Sequence, residues 1–398
     1  MMKAYRLTLL GVWIGMALQA ADSRIGPWDL NRLSAPPSVE WGVRTGRVQV
    51  VSYAGEPFQG RSTRVFGYLG RPDGIDTAKP GSVPAMVLVH GGGGKAFQPW
   101  AEHWARRGYV ALAMDLSGNG PSGKLPDGGP DQSDTVKFRE FGDADVPDMW
   151  SYHAVAAVIR GHSLVRSLAE VDVKRVGMTG ISWGGYLTCI VAGVDPRFAV
   201  AVPVYGCGFL GENSVWKDGA LAKMSDDSRS RWLARFDPSQ YLGNVRCPIL
   251  FLNGTTDFAY PLDSYQKSYR KVPARFRNLA VIIDLPHGHI WTFPEVDAFV
   301  DAALKKGPEV ARVGKTHVRP GTVRASVSGS STVRSATLCY ARDEGAWQKR
   351  VWKSVPARVS GNRLEADLPS ERPLVGFLAV VDGQGLRVSG EHFVVAEE

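Results

Sequence analysis

The sequence predicts an α/β fold, a mostly parallel central sheet with helices on both faces, followed by a small all-β sandwich. Three observations carry this reading. Between residues 46 and 308, short apolar runs alternate with stretches of helical spacing, the pattern of parallel strands joined by crossover helices. Several runs, such as Ala85-Met-Val-Leu-Val-His90, are apolar almost throughout, as strands buried on both faces require. After Lys306-Gly307-Pro308 helical spacing disappears, and short alternating runs separated by turn residues take over, as in a sandwich.

Composition narrows the class. The 398 residues are 44% hydrophobic and 22% charged, ordinary for a folded chain, which excludes disordered, collagen-like and multi-span membrane proteins. No fixed-period repeat suggests a solenoid or propeller. The formal net charge is +8, but the basic residues are scattered. They read as a solvated surface, not a nucleic-acid arm. Cys189, Cys207, Cys247 and Cys339 lie far apart and form no CxxC or zinc-finger spacing. They are no disulfide framework, though one bridge stays open for an exported chain.

The elements follow in order. Lys3 and Arg6, the apolar run Leu7 to Ala17 and the small residues Gln19-Ala20-Ala21 form a secretory signal peptide over residues 1–20. The run is shorter than the ~20 residues that span a bilayer. No later run is long enough to span, so the mature chain is expected to be secreted or periplasmic. Residues 21–45, with Trp28, Pro36 and Pro37, read as an irregular lead-in. Arg47 to Tyr53 and Ser62 to Leu69 read as strands, then Ala85 to His90, closed by four glycines. A helix over 99–107 and a strand over 109–115 come next. Residues 116–148 form a long polar loop, a lid or rim carrying Asn119 and Asp131. A helix over 149–169, a strand over 175–179, a helix over 184–192 and a strand over 198–205 continue the alternation. Residues 213–241 are mixed helix and loop. Strands at 248–253 and 279–285 and helices at 262–272 and 294–304 complete a catalytic domain over 46–308. The sandwich, 315–398, takes strands near 323–327, 336–340, 348–353, 364–368, 375–381 and 391–395.

Chemistry gathers where strands end. Gly180-Ile-Ser182-Trp-Gly184 is a GxSxG between a strand and a helix, a nucleophile elbow. Small residues flank the serine because the turn is tight. The helix start beside it favours developing negative charge. A serine hydroxyl needs a base to become nucleophilic. His287 is first after the last strand, in Leu285-Pro-His-Gly-His-Ile, and is the preferred base; His289 is the alternative. A carboxylate should hold the imidazole tautomer. Asp257, after strand 248–253, fits, against a reading as a turn aspartate; Asp263 is the weaker acid candidate, read rather as a helix cap. The N–H of Trp183 and one from His90-Gly-Gly-Gly-Gly94 are the oxyanion donors, Gly92 first and Gly93 second. No GKS/GKT or GxGxxG supports a phosphate loop.

Aromatics near strand ends, Tyr205, Trp216, Phe258, Tyr260 and Trp291, are candidates for lining an acyl or sugar pocket, with His289 beside them; core packing is the competing role. Trp347 and Trp352 read as packing residues, with sugar stacking as the alternative.

VLVHGGGG (87–94), GISWGGY (180–186), NGTTD (253–257) and LPHGH (285–289) together resemble the α/β-hydrolase superfamily over residues 46–306. Within it the chain is similar to the dienelactone-hydrolase-like and acetyl xylan esterase-like serine hydrolases, especially exported ones. The resemblance implies a triad of Ser182, Asp257 and His287, in the chain order of that fold, with Gly92 and Trp183 at the oxyanion hole. Dienelactone hydrolases themselves use cysteine where this chain has Ser182. GxSWGGY is also similar to the prolyl-oligopeptidase family, whose upstream propeller is missing from the 90 residues before the glycines. The carboxy-terminal segment resembles Ig-like appendages of secreted hydrolases. The expectation is a serine carboxylic ester hydrolase acting on a small ester or an acetylated polysaccharide, without cofactor or metal. The alternatives are a peptidase of short peptides and a non-catalytic binding protein.

Overall fold

The computed structural model describes residues 24–329 and 332–397; the expected signal segment, residues 1–20, lies outside them. Among the described residues, nine strands build the central sheet: β1 (Val39–Thr45), β2 (Val48–Ala54), β3 (Arg64–Gly70), β4 (Val83–Val89), β5 (Val110–Met114), β6 (Val171–Ile181), β7 (Val200–Val204), β8 (Ile249–Gly254) and β9 (Arg277–Ile282). Their order is β9-β8-β7-β6-β4-β5-β3-β2-β1. Pairing from β9 through to β5 is parallel, and β5-β3, β3-β2 and β2-β1 are antiparallel. The apolar runs became the buried centre: every residue of β5, β7 and β8 is buried.

Six longer helices flank the sheet: α1 (Gln98–Arg106), α2 (Trp150–Ser167), α3 (Trp183–Val194), α4 (Asp226–Phe236), α5 (Leu262–Lys271) and α6 (Pro294–Lys305). Every residue of α3 is buried, because it packs between β6, β7 and α2. Its sequence is accordingly apolar on all sides, as a fully buried helix must be. No helix among the described residues is long and apolar enough to cross a membrane.

Three local readings are corrected. The lead-in is not irregular: it holds a short strand pair, Arg24–Ile25 with Trp28–Asp29, the helix Leu30–Leu33 and β1. As the outer strand, β1 has only Val39 half-buried, so it carries no alternation to read. The loop over 116–148 contains a small hairpin, Asn119–Gly120 with Gly123–Lys124, and a short helix, Asp134–Lys137. The run 348–353 is a one-turn helix, Trp347–Lys349, before the strand Lys353–Pro356. There the Arg350 guanidinium lies 3.7 Å from the Trp347 ring and pairs with Asp343 at 2.6 Å.

The carboxy-terminal segment forms two antiparallel five-stranded sheets around a separate core that includes Val323, Leu338, Leu364 and Leu378. Its strand Arg387–Ser389 lies against β9, the parallel edge of the central sheet. The Val281 N–H donates to Ser389 Oγ at 2.9 Å, and buried Glu295 accepts from Arg387 Nε at 2.7 Å. The sandwich thus occupies an edge that would otherwise offer unpaired backbone groups. Trp352 packs at 5.4 Å on Phe377 in this region and is buried, as the packing reading expects. Trp347 is half-buried against His392 at 5.1 Å. All four cysteines are buried and free.

Candidate active site

Parallel strands leave the sheet at one edge, and four of them deliver the site there. β6 ends at Ile181 and turns into Ser182, which starts α3 at φ +58° and ψ −117°. This left-handed backbone is unusual for a residue with a side chain. Room for the turn comes from its glycines. A Cβ on Gly180 would lie 2.2 Å from the Gly184 carbonyl oxygen, and one on Gly184 would lie 2.0 Å from the Val89 carbonyl oxygen. Gly184→Ala is therefore expected to destabilise the protein by about 3 kcal/mol or more, since both partners are backbone and cannot swing away. A urea unfolding midpoint equal to wild type would contradict this close approach.

His287 follows β9 and Asp257 follows β8. His287 Nε2 lies 2.8 Å from Ser182 Oγ, and His287 Nδ1 lies 2.7 Å from Asp257 Oδ2. Asp257 is buried. Its Oδ1 accepts the N–H groups of Ala259 at 2.9 Å and Tyr260 at 2.8 Å. The two oxygens of this aspartate thus have different partners: one organises a turn and the other bonds the histidine. Asp263 lies in the first turn of α5, after Pro261 at the N-cap position; its Oδ1 accepts the Ser264 N–H at 2.9 Å, a capping bond to the helix start, and its two oxygens accept from Asn213 Nδ2 at 3.0 and 2.9 Å.

The glycine turn after β4 passes beside the serine. Gly92 abuts Trp183, whose ring is buried among Trp216 at 4.4 Å, Tyr186 at 4.8 Å and Trp150 at 5.6 Å. The Trp183 N–H belongs to the first turn of α3, where backbone donors have no partner within the helix. Gly93 is in the left-handed region at φ +68°. His90 braces this turn. Its Nδ1–H donates to the Gly91 carbonyl at 2.7 Å and its Nε2 accepts the Leu116 N–H at 2.9 Å, a pattern only a neutral imidazole supports.

Burial pushes His90 down to about 4, and does the same to His153, while His392 is pushed to about 3. Unfolded, each returns to the ordinary value near 6.5. Between pH 6.5 and 4 the unfolded chain then binds more protons, so this contribution to stability is full above about pH 6.5 and falls as pH drops toward 4. The urea midpoint is expected to decline through that window; a constant midpoint contradicts the burial of these rings.

Ser182 and His287 open into a cleft of about 1280 Å³. Trp216 and His289 line it, as expected, and so do Gly92, Gly93, Phe258, Asn119 and Asp131. Tyr205, Tyr260 and Trp291 do not. Tyr205 lies beneath the site, its ring stacked on His287 at 4.4 Å and its hydroxyl donating to the Pro286 carbonyl at 2.9 Å. Tyr260 is fully buried, 5.3 Å from Trp216. Trp291 packs against Phe97 at 4.9 Å and stacks on Trp100 at 6.4 Å. Tyr205 and Tyr260 turned down into the core beneath the histidine, and Trp291 is half-buried against α1.

The sequence reading did not single out Lys137 or Phe138. Lys137 is buried on the cleft wall, 4.1 Å from the Trp183 ring and 2.9 Å from Asp134. Burial lowers its pKa, and Asp134 partly opposes that shift. Its only sequence signal was its place in a long loop at a strand end. That loop is anchored: Trp150 Nε1 donates to the Leu116 carbonyl at 2.7 Å and Trp232 Nε1 to the Lys137 carbonyl at 2.9 Å. A hydrogen-bonded Ser–His–Asp chain at the floor of a cleft, beside unpaired helix N–H groups, is equipped for acyl transfer.

A family model described as acetyl xylan esterase (AXE1) matches residues 39–241. The acetyl esterase Axe7A of Xylanibacter ruminicola is 25% identical over 268 residues, 62% of this chain and 57% of that protein. The acylamino-acid-releasing enzyme of Sus scrofa is 24% identical over 315 residues, 73% of this chain and 40% of that protein. The chain thus spans only 57% and 40% of these two curated relatives. Among solved structures, an acetyl xylan esterase from a Paenibacillus species has a TM-score of 0.58 at 23% identity, covering 69% of this chain and 92% of that one. Acetyl xylan esterase 1 from a Thermoanaerobacterium species gives 0.54 at 18%, with the same coverage. At these identities the structural likeness speaks for the fold: a mostly parallel sheet with flanking helices, the α/β-hydrolase fold.

Proposed function

The chain belongs to the acetyl xylan esterase (AXE1) family, an α/β-hydrolase-fold family of serine hydrolases, and on that premise we propose that it is an exported esterase removing acetyl groups from a xylan-type polysaccharide or a small ester. The observation that carries the proposal is the continuous hydrogen-bond chain from Ser182 through His287 to Asp257 at the foot of the cleft.

In this reading Ser182 Oγ attacks the acetyl carbonyl as its proton passes to His287 Nε2. Asp257 keeps the other ring nitrogen protonated and stabilises the imidazolium. The oxyanion forms against the N–H groups of Trp183 and Gly92, each contributing roughly 3 kcal/mol. The imidazolium then protonates the departing alcohol. Water, activated by the same histidine, releases acetate from Ser182.

The test is a panel on the mature protein: acetylated xylan, 4-nitrophenyl acetate and butyrate, and aminoacyl and prolyl amides. Acetate release with negligible amide cleavage is the expected result. Amide cleavage without ester cleavage would replace the esterase reading with a peptidase. Failure of a fluorophosphonate probe to label Ser182 would remove the catalytic reading altogether.

A further inference from the structure

We propose that Phe258 is the platform on which the sugar ring bearing the scissile acetyl group stacks, so that the cleft selects a pyranose as its leaving group. The inference rests on the acetyl-esterase reading and supplies its alcohol side.

Phe258 is 56% exposed, and among the described residues only Trp41 is another aromatic left so open. A single exposed apolar side chain needs no explanation. This one has three further properties. It lies on the cleft wall, and its ring stands 4.8 Å from that of His287. The histidine that returns the proton to the departing oxygen must face the alcohol, so the surface flanking it is the alcohol side. Its backbone is held on both flanks, because Asp257 Oδ1 accepts the Ala259 and Tyr260 N–H groups and the Ala259 carbonyl accepts the Val215 N–H at 3.3 Å. The ring is thus presented to solvent by an ordered turn. Val215, 45% exposed, lines the same cleft and widens the apolar surface.

A pyranose has an apolar C–H face and a rim of hydroxyls. Phe258 matches the face, while Asn119, Asp131, Ser133 and Thr135 on the wall contributed by the loop supply donors and acceptors for the rim. The cleft, about 1280 Å³, is larger than the ~300–1000 Å³ of pockets that enclose one small molecule, so an acetyl group alone leaves most of it unused.

The experiment compares kcat/KM of wild type, Phe258→Ala, Phe258→Leu and Phe258→Trp on fully acetylated xylobiose and on ethyl acetate, whose leaving group cannot stack. Phe258→Ala is expected to lose about five- to ten-fold more on the sugar ester than on ethyl acetate, chiefly through KM, the scale of one aromatic contact. Phe258→Trp should restore most of the loss and Phe258→Leu little. Equal losses on the two esters, or full recovery with leucine, overturn the platform while leaving the esterase reading intact. Wild type that cleaves ethyl acetate but not the sugar ester also overturns the platform. Wild type inactive on both overturns the esterase reading itself.

Discussion

Ser182→Ala is expected to lower ester turnover by about 10⁶-fold, the scale at which a nucleophile is lost from a cooperating triad. The protein should stay folded. Ser182 makes no side-chain cap to α3, and its hydroxyl bonds His287 Nε2. Alanine keeps the Cβ and therefore the same left-handed backbone at φ +58°, neither relieving nor adding strain. The unfolding midpoint should move by no more than about 2 °C, while labelling by a fluorophosphonate disappears. The residual rate belongs to the oxyanion donors and to binding, which the substitution leaves in place. Turnover above one part in about a thousand would mean that another group attacks the carbonyl.

The site was legible because its residues follow apolar runs closed by glycine or proline. β6, β8 and β9 announce themselves as buried strands, and their carboxyl ends lie together in any parallel sheet. Ser182, Asp257 and His287 could therefore be placed on one edge before any distance was known. What escaped has physical causes. Among the described residues β1 pairs only with β2 and is exposed along most of its length, so no burial period marks it. Lys137 sits in polar sequence, and its burial comes from the rings of Trp150 and Trp183, which are remote in the chain. Tyr205 was readable as an aromatic at a strand end, but not its direction. Its backbone takes the left-handed region at φ +66°, which an apolar run does not announce, and its ring stacks under His287 instead of lining the cleft.

The second large effect is expected of Asp257→Asn, about 10⁴-fold on kcat with little change in stability. The two oxygens of Asp257 have different duties. Oδ1 accepts from two backbone N–H groups, so the amide of asparagine must turn its oxygen to that side. Its NH₂ then faces His287 Nδ1, where Oδ2 was an acceptor at 2.7 Å. A donor in that position forces the ring into the tautomer whose Nε2 carries the hydrogen. Nε2 still lies against Ser182 Oγ, but it cannot take the serine proton. The loss thus arises from a proton on the wrong nitrogen, in a site whose heavy atoms have not moved. Asp257 is buried, and removing its charge while keeping its turn should not lower the urea midpoint. Asp263→Asn is the matched control: this carboxylate bonds Asn213 and the Ser264 N–H and touches neither His287 nor Ser182. Its kcat should stay within about two-fold of wild type, as for residues outside the reacting unit. Comparable losses in the two variants would show that the aspartate after β8 organises the turn alone, and that His287 keeps its tautomer without it.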